Sequence, residues 1–312
     1  MSTRQTDPDA PTVSGAPAPS PRLPVESHSA EPVARLKRNH VFAYRLKRWI
    51  LSPRPLLMLL GFALFFFFWL LAVDVFHVWR FRYMPGLKEV IQEWTSKKPQ
   101  FGISIFTSEY YAHTWISLRR VLIAFTLALG LGVPLGLFMG WWRKFREYTF
   151  PVFEILRPIP ILAWVPLAIL MFRSEEGPVI YLTFLSAFFV TTLNTLLGVQ
   201  SIDRDLIRAA YCLGSTPRDV FRHVVIPGAM PYIFIGLQIA MGVAWFSLVA
   251  GEMVAGRLGL GYLVNSAYTT ARYPTIVIAM FTLGFVGWLS SALIRLVGDR
   301  LMQYRARMLS TG

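Results

Sequence analysis

The chain has 312 residues, of which 54% are hydrophobic and only 15% are charged. Soluble domains are about 25% charged, so this composition argues against an ordinary cytosolic enzyme. The formal net charge is +14, but the basic residues lie mostly between and beside apolar blocks. That distribution is typical of membrane helices rather than of a nucleic-acid-binding surface. The one cysteine, Cys212, excludes a disulfide framework and a cysteine-built zinc site, and we predict no metal site.

The N-terminal region divides into two segments before the first long apolar run. Residues 1–33 are rich in Pro, Ser and Ala and have no helical or strand periodicity, so we predict a disordered cytoplasmic tail. Residues 34–55 mix basic and apolar side chains, which predicts an amphipathic helix in the headgroup layer of the bilayer. The first apolar run begins near Leu56, too far from Met1 for a cleaved secretory signal.

Apolar blocks long enough to cross a bilayer occur six times, because a hydrocarbon core of about 30 Å needs ~20 helical residues. The predicted spans are Leu56–Val73, Val121–Trp142, Val152–Phe172, Pro178–Gln200, Tyr232–Gly251 and Ile276–Val297. Pro158, Pro160 and Pro166 remove backbone donors from the third span, so we expect a kinked entry there. The sequence therefore predicts an all-α membrane protein whose transmembrane domain covers residues 56–300.

The basic residues near the span ends predict how the helices are oriented. With the N-terminus inside, eighteen Lys and Arg residues flank the cytoplasmic ends and ten, Arg119 and Arg120 among them, flank the external ends. Both termini are therefore predicted to be cytoplasmic, and residues 301–312 form a basic C-terminal segment. Residues 79–117 become an external segment, in which residues 84–94 predict a short amphipathic helix.

Small and polar residues inside the spans predict where helices pack closely and where a polar path could run. Gly132, Gly136 and Gly140 recur at every fourth residue, which predicts a tight helix crossing, either at a subunit or pathway seam or within the chain. Polar side chains in the fourth and fifth spans predict either interhelical hydrogen bonds or a translocation pathway. The candidate pathway residues are Thr191, Asn194, Thr195, Gln238, Ser247 and Glu252. Glu252 follows the fifth span, where an exposed ion pair is an equal alternative.

The loop between the fourth and fifth spans carries two helix signals. Asp203 can cap a first helix, and Gly214 suits the left-handed position that ends it. Thr216 and Pro217 begin a second helix in the pattern of a capping box, and Pro227 is expected to stop that helix. Two short capped helices joined by a tight turn predict either a rigid knob for a cytoplasmic partner or a re-entrant fold of the chain.

This loop, residues 201–231, resembles the "EAA" loop of ABC-importer permeases: Glu-Ala-Ala, three residues, Gly, nine residues, then Ile-x-Leu-Pro. The Glu position holds Arg208, a charge reversal. The residues that the resemblance assigns to ATPase coupling are Arg208, Ala209, Ala210, Gly214, Thr216, Pro217, Val224, Ile226 and Pro227. The segments "SLRRVLIAFTLALGLGVPLGLFMG", "RPIPILAWVPLAILMF" and "GLGYLVNSA" are similar to the nitrate, sulfonate, taurine and bicarbonate branch.

The resemblance implies a type I ABC-importer permease fold in the bacterial cytoplasmic (inner) membrane. Its implied partners are a second copy of the chain, two cytoplasmic ATPase subunits, an external substrate-binding protein and the lipid bilayer. The implied substrates are small anions, first a sulfonate such as taurine and then nitrate or bicarbonate. No P-loop motif is present, so we expect that the chain is not itself an enzyme and binds no cofactor. ATP and Mg are expected on the partner ATPase subunits.

Two other functions are consistent with a polytopic membrane protein. The first is a secondary transporter or channel driven by an ion gradient. The spans carry no carboxylate or histidine at a midpoint and no paired interrupted helices, which argues against this alternative. The second is a membrane scaffold whose 201–231 loop only recruits a partner.

Overall fold

The computed structural model describes residues 53–71, 73 and 84–302. The chain divides into two compact units, residues 1–64 and 65–312. Of the first unit, only the beginning of one helix is described, and the second unit holds all the other described elements.

Several sequence predictions fall on residues outside the described part of the chain. They are the predicted tail at 1–33, most of the predicted interfacial helix at 34–55, the beginning of the predicted external segment at 79–83, and residues 303–312 of the basic C-terminal segment.

The described residues form eleven α-helices and no strand. In chain order these are α1 (Pro53–Leu70), α2 (Leu87–Thr95), α3 (Ser108–Trp141), α4 (Arg143–Leu156), α5 (Val165–Met171), α6 (Glu176–Gln200), α7 (Arg204–Cys212), α8 (Pro217–Val220), α9 (Ile226–Ala255), α10 (Leu260–Thr269) and α11 (Tyr273–Leu301). A 3-10 helix (Ile161–Trp164) precedes α5, and a π-helix (Phe221–Val225) joins α8 to α9.

Four helical segments in the described residues are long and apolar enough to cross a membrane: α3, α6, the continuous α8–α9 segment and α11. The predicted second, fourth, fifth and sixth spans fall on them. The helix α3, on which the predicted second span falls, begins at Ser108, well before the predicted Val121. At ~1.5 Å per residue its 34 residues reach about 51 Å. The predicted first span falls on α1, whose apolar part, Pro55–Leu70, is shorter than these four.

The third predicted span, Val152–Phe172, is broken more sharply than the expected kink. The segments Arg143–Leu156 and Ile161–Met171 meet at an angle of 90°. Pro158 and Pro160 lie in the break, where neither offers a backbone N–H that could continue the helix. The expected kink is therefore a right-angled bend, and only the two parts together are long enough to count as a fifth span.

The prediction that Pro227 stops the second helix of the 201–231 loop is wrong. The chain runs from Pro217 to Ala255 without leaving helical structure, so the loop helix continues directly into the membrane helix. A π-turn over Phe221–Val225 ends two residues before Pro227. A π-turn shifts the backbone hydrogen-bond register, which accommodates a proline that has no N–H to donate.

The core of the second unit lies along α6, which packs between α3 and α9. Its buried apolar residues include Val121, Ala128, Ala187, Leu237 and Leu248. The helix α6 is more enclosed than α3 or α11, because most residues of its apolar stretch are buried and most of theirs are not. A helix that is apolar all round and buried on most of its surface is typical of the centre of a membrane bundle.

A second apolar cluster joins α2 to the later helices of the unit. Val90 of the predicted amphipathic helix packs with Ile103, Leu263 and Ile278. The predicted helix at residues 84–94 is therefore confirmed as α2, Leu87–Thr95. Glu93 is also buried, and its carboxylate accepts hydrogen bonds from two backbone N–H groups of the loop that follows.

Candidate functional site

The caps predicted for the 201–231 loop are confirmed. The Asp203 carboxylate accepts the Asp205 N–H at the start of α7. Gly214 follows α7 with a φ of +84°, the left-handed conformation that an L side chain rarely adopts. Thr216 and Asp219 form a reciprocal capping box at the start of α8. Local side-chain chemistry therefore defines both helix starts and the turn between them.

The helix α7 is the first helix of the predicted knob, residues 201–231, and it has an attached side and an exposed apolar side. None of its residues is buried, although Ile207 and Ala210 pack against the main core. Leu206 and Leu213 face outward, and Leu213 is 87% exposed. Arg208, at the usual Glu position, is exposed and donates from Nη1 to Asp205 Oδ1 at 3.0 Å. The reversed charge is thus partly balanced within the knob itself.

The three glycines of α3 lie against α6 of the same chain. A Cβ on Gly136 would stand 2.6 Å from the Thr192 carbonyl oxygen and 2.6 Å from Thr195 Cβ. A Cβ on Gly140 would meet Val199 Cβ at 2.5 Å. The glycine repeat therefore serves packing within the chain, the second of the two alternatives that the sequence left open.

The candidate pathway residues of α6 hydrogen-bond to their own helix. Asn194 donates to the Val190 carbonyl and Thr195 to the Thr191 carbonyl, both one turn earlier. The hydroxyls of Thr191 and Ser247 are buried and have no hydrogen-bond partner among the described residues. Gln238 of α9 is half-buried. The described contacts therefore show no interhelical hydrogen bond from this group of residues.

Glu252 behaves differently from the other candidate pathway residues, because it is fully buried and saturated with donors. Its carboxylate accepts hydrogen bonds from Ser117 Oγ at 2.8 and 2.9 Å, from Arg120 Nη1 at 2.8 Å and from the Gly261 N–H at 2.8 Å. The exposed ion pair considered from the sequence is therefore wrong. A buried carboxylate needs such multiple donors to offset the loss of water.

Arg120 connects this buried carboxylate to a second one nearer the surface. Its Nε and Nη2 donate to the two Glu176 oxygens at 3.1 and 2.8 Å, which is a bidentate pair. Its Nη1 also donates to the Leu258 carbonyl at 2.6 Å. Arg119 donates to Glu176 as well, at 3.0 Å. We refer to Arg119, Arg120, Glu176 and Glu252 as the ionic cluster.

The turn before α10 is built around the ionic cluster. The Gly259 N–H donates to His113 Nδ1 at 3.0 Å, and the Leu260 N–H donates to Ser117 Oγ at 2.8 Å. Gly259 has a φ of +124°, and a Cβ there would overlap the Glu252 carboxylate. Only glycine fits this position, so the glycines of the "GLGYL" segment allow the backbone to close over Glu252.

The ionic cluster and the 201–231 loop lie at opposite ends of the bundle. Glu176 begins α6, and the loop follows its last residue, Gln200. The 25 residues of α6 separate the two by about 37 Å at ~1.5 Å per residue. The structure therefore has a protruding knob at one end and a buried set of charges at the other.

Sequence reasoning missed most of the ionic cluster. Arg119 and Arg120 were assigned to the flank of a span, but both lie within α3, and Arg120 is 2% exposed. The signal was the spacing of His113, Ser117 and Arg120 at i, i+4 and i+7, which places three polar side chains on one helix face. The partner Glu176 lies 56 residues after Arg120 in the chain, and no local pattern connects them.

Comparison with known proteins identifies relatives of the chain. Residues 132–307 match the family described as binding-protein-dependent transport system inner membrane component. The taurine transport system permease of Escherichia coli is 31% identical over 227 residues, 72% of this chain and 82% of that protein. The nitrate import permease of Leptolyngbya laminosa is 34% identical over 186 residues, 60% of this chain and 67% of that protein.

A solved structure shares the fold. A chain of the bacterial alginate ABC transporter, crystallised with an alginate-bound periplasmic protein, aligns with a TM-score of 0.53 over 83% of this chain and 97% of its own length. Its sequence identity is 14%, so this likeness concerns the fold alone. The described helices therefore share the fold of that ABC transporter chain.

Proposed function

The chain belongs to the family of binding-protein-dependent transport system inner membrane components, and from that membership we propose that it is the permease subunit of an ATP-driven importer of small oxyanions. It is a multi-pass membrane protein of the inner membrane, and its relatives include permeases named for nitrate, taurine and aliphatic sulfonates. A sulfonate such as taurine is the first candidate substrate, and nitrate or bicarbonate the next.

The proposed arrangement has six spans and two cytoplasmic termini. The apolar helix α1 would supply the first span and the bent pair α4 and α5 the third. Lys and Arg are more numerous beside the span ends on the side of the 201–231 loop than on the other side, which supports a cytoplasmic position for this loop. The ionic cluster then lies at the external end, where a substrate-binding protein would dock.

The observation that carries the proposal is the knob at residues 201–231. Side-chain caps fix the start of both of its helices, and no residue of α7 is buried. Its second helix continues without a break into α9, so a push on the knob would be transmitted along a 39-residue helical segment into the bundle. We propose that the knob docks on a partner ATPase, with two ATPases serving two copies of this chain.

ATP and Mg would be bound by the ATPase subunits and not by this chain. Docking would bury the outward-facing Leu206 and Leu213 against the ATPase surface. Arg208 is an exposed cation at the position where related loops carry Glu, and we propose that the cognate ATPase presents an acidic side chain to it.

Transport in liposomes tests the proposed function directly. The chain would be reconstituted with its candidate ATPase and external binding protein, and uptake of radiolabelled taurine measured with and without ATP. Uptake should require ATP and should stop when the ATPase carries a hydrolysis-dead substitution. Uptake that persists with the dead ATPase would favour an ion-gradient-driven transporter. No movement of taurine, nitrate or bicarbonate under any condition would favour a scaffold.

Docking of the knob is tested by co-purification. Leu213→Glu should insert into the membrane normally and lose most of the ATPase, because a charge would replace an apolar contact at the centre of the docking surface. Cys212→Ser changes the exposed neighbouring residue conservatively and is the matched control. If the Leu213→Glu chain retained as much ATPase as the Cys212→Ser chain, the knob would not be the docking surface.

A further inference from the structure

Two guanidinium groups converge on one partly exposed carboxylate in the ionic cluster. Arg119 and Arg120 together donate three hydrogen bonds to Glu176, which remains 38% exposed. Arg120 also binds Glu252, which is fully buried. One carboxylate of the cluster is thus enclosed by protein, and the other lies at the edge that solvent reaches.

Arg120 is the only Lys or Arg that is buried among the described residues. The polar side chains deeper in the bundle are hydroxyls and amides, which carry no charge to attract an anion. If the protein moves anions, this guanidinium is the strongest attraction that the enclosed part of the bundle offers to them.

The Glu176 carboxylate has the shape and charge of the proposed substrates. A carboxylate meets the planar fork of a guanidinium through two oxygens, and nitrate, bicarbonate and sulfonate groups can present two oxygens in the same way. From these contacts we infer that the Arg119–Arg120 pair is a binding site for a small oxyanion, occupied in this structure by the Glu176 carboxylate. The inference rests on the proposed function for its substrate class.

The charges of the cluster explain why an anion would replace Glu176. With Glu176 in place, two guanidinium groups face two carboxylates and the cluster is neutral. If Glu176 turns outward, Glu252 alone remains opposite two cations, and a bound monoanion restores the balance. Glu252 cannot turn away, because Ser117 and the Gly261 N–H hold it and no part of it is exposed.

Exchange of the anion for Glu176 would also loosen the bundle at this end. The Glu176 contacts are the ion pairs that tie the start of α6 to α3 in the described residues. An anion on the arginines would therefore free the start of α6, while Glu252 would continue to hold α3, α9 and the turn before α10 together. Binding of the substrate would thus favour the separation of these two parts.

Equilibrium binding to the full chain tests the inference. The chain, in lipid nanodiscs with its co-purified ATPase, would be titrated with radiolabelled taurine and methanesulfonate, and then competed with nitrate and bicarbonate. Glu176→Gln should bind these anions about tenfold more tightly than the unchanged chain, because it removes the internal competitor. Adding Arg119→Gln to Glu176→Gln should reverse most of that gain. Uncharged dimethyl sulfone should not compete.

Glu175→Gln is the matched control. Glu175 is the preceding residue, and its carboxylate pairs with the exposed Arg257 at 2.9 Å, outside the cluster. Its substitution should leave anion binding unchanged. Arg120 itself is not a suitable test position, because its loss leaves Glu252 buried without a cation.

Two results would overturn the inference: anion binding by Glu176→Gln that is no tighter than by Glu175→Gln, or a gain that survives Arg119→Gln. Both leave the proposed function standing if the unchanged chain still takes up anions with its ATPase and binding protein. Loss of that uptake for every anion would instead remove the proposed function.

Discussion

Arg120 of α3 and Glu252 of α9 form an ion pair of 2.8 Å between side chains that are 2% and 0% exposed. A buried pair of this kind is tolerated only when further hydrogen bonds satisfy both charges. The Glu252 carboxylate accepts further hydrogen bonds from Ser117 and the Gly261 N–H. The Arg120 guanidinium donates its remaining hydrogen bonds to Glu176 and the Leu258 carbonyl. The pair therefore holds the bundle together at the end opposite the 201–231 loop.

Removal of the Glu252 carboxylate should destabilise the bundle strongly. Glu252→Leu removes the buried partner of Arg120 Nη1 and leaves Glu176 as the one carboxylate on this guanidinium. Breaking a buried pair costs about 3–5 kcal/mol. The measurement is the thermal unfolding midpoint of the purified chain in detergent. Glu154→Leu, at an exposed carboxylate of α4, is the control. The double substitution Arg120→Met with Glu252→Leu should recover part of the loss. Equal unfolding midpoints for Glu252→Leu and Glu154→Leu would contradict the prediction.

The turn over Glu252 should not tolerate a side chain at Gly259. Gly259→Ala would need an L residue at a φ of +124° and would push a methyl group into the Glu252 carboxylate. Backbone strain of this kind costs about 1–3 kcal/mol before the collision is counted. Thermal unfolding should show a clear loss, whereas Gly284→Ala in α11, where a Cβ meets nothing within 4 Å, should not lower the midpoint. Similar midpoints for the two variants would refute the packing described for this turn.

The α3–α6 contact should be equally sensitive to added volume. Gly136→Ala places a methyl group 2.6 Å from the Thr192 carbonyl oxygen, so the two helices must separate. Overpacking typically costs about 1–3 kcal/mol. Gly130 lies on the same helix with open space around it, and Gly130→Ala should be neutral or slightly stabilising. The prediction fails if both alanines shift the unfolding midpoint by the same amount.

The knob should depend on Gly214 for its backbone conformation rather than for its small size. A Cβ there would meet nothing within 4 Å, but the φ of +84° is unfavourable for a branched side chain. Gly214→Val should therefore distort the turn and reduce ATPase co-purification, with normal membrane insertion. Gly214→Asn, which tolerates the left-handed region, should retain most of the association. Equal loss for Val and Asn would indicate crowding of the docking surface instead.

Much of the architecture follows from the local sequence. Apolar blocks such as Pro178–Gln200 predict membrane helices because a bilayer demands a fixed length of apolar helix. The caps at Asp203 and Thr216 and the turn at Gly214 were predicted correctly, because each depends on residues within a few positions of one another. Family membership was likewise predicted from motifs that lie within single segments.

Where a helix breaks was harder to predict from the sequence, because the effect of a proline depends on the backbone around it. Pro158 and Pro160 produce a full right-angled bend, whereas Pro227 is carried through by the π-turn before it. A proline marks a missing N–H in the sequence, but whether the helix breaks or shifts its register depends on the packing around it.

Only the tertiary structure revealed the ionic cluster. Composition and periodicity placed Arg120 and Glu252 near span ends, where a charge is inexpensive, and nothing local paired them with each other or with Glu176. The pairing arises because α3, α6 and α9 meet at one end of the bundle, and because Gly259 lets the backbone close over the carboxylate. The sequence by itself determined that these helices are long and apolar enough to cross a membrane, since that depends on the apolar content of each segment. Their assembly determined which charges are buried, since burial depends on neighbours that are distant in the chain.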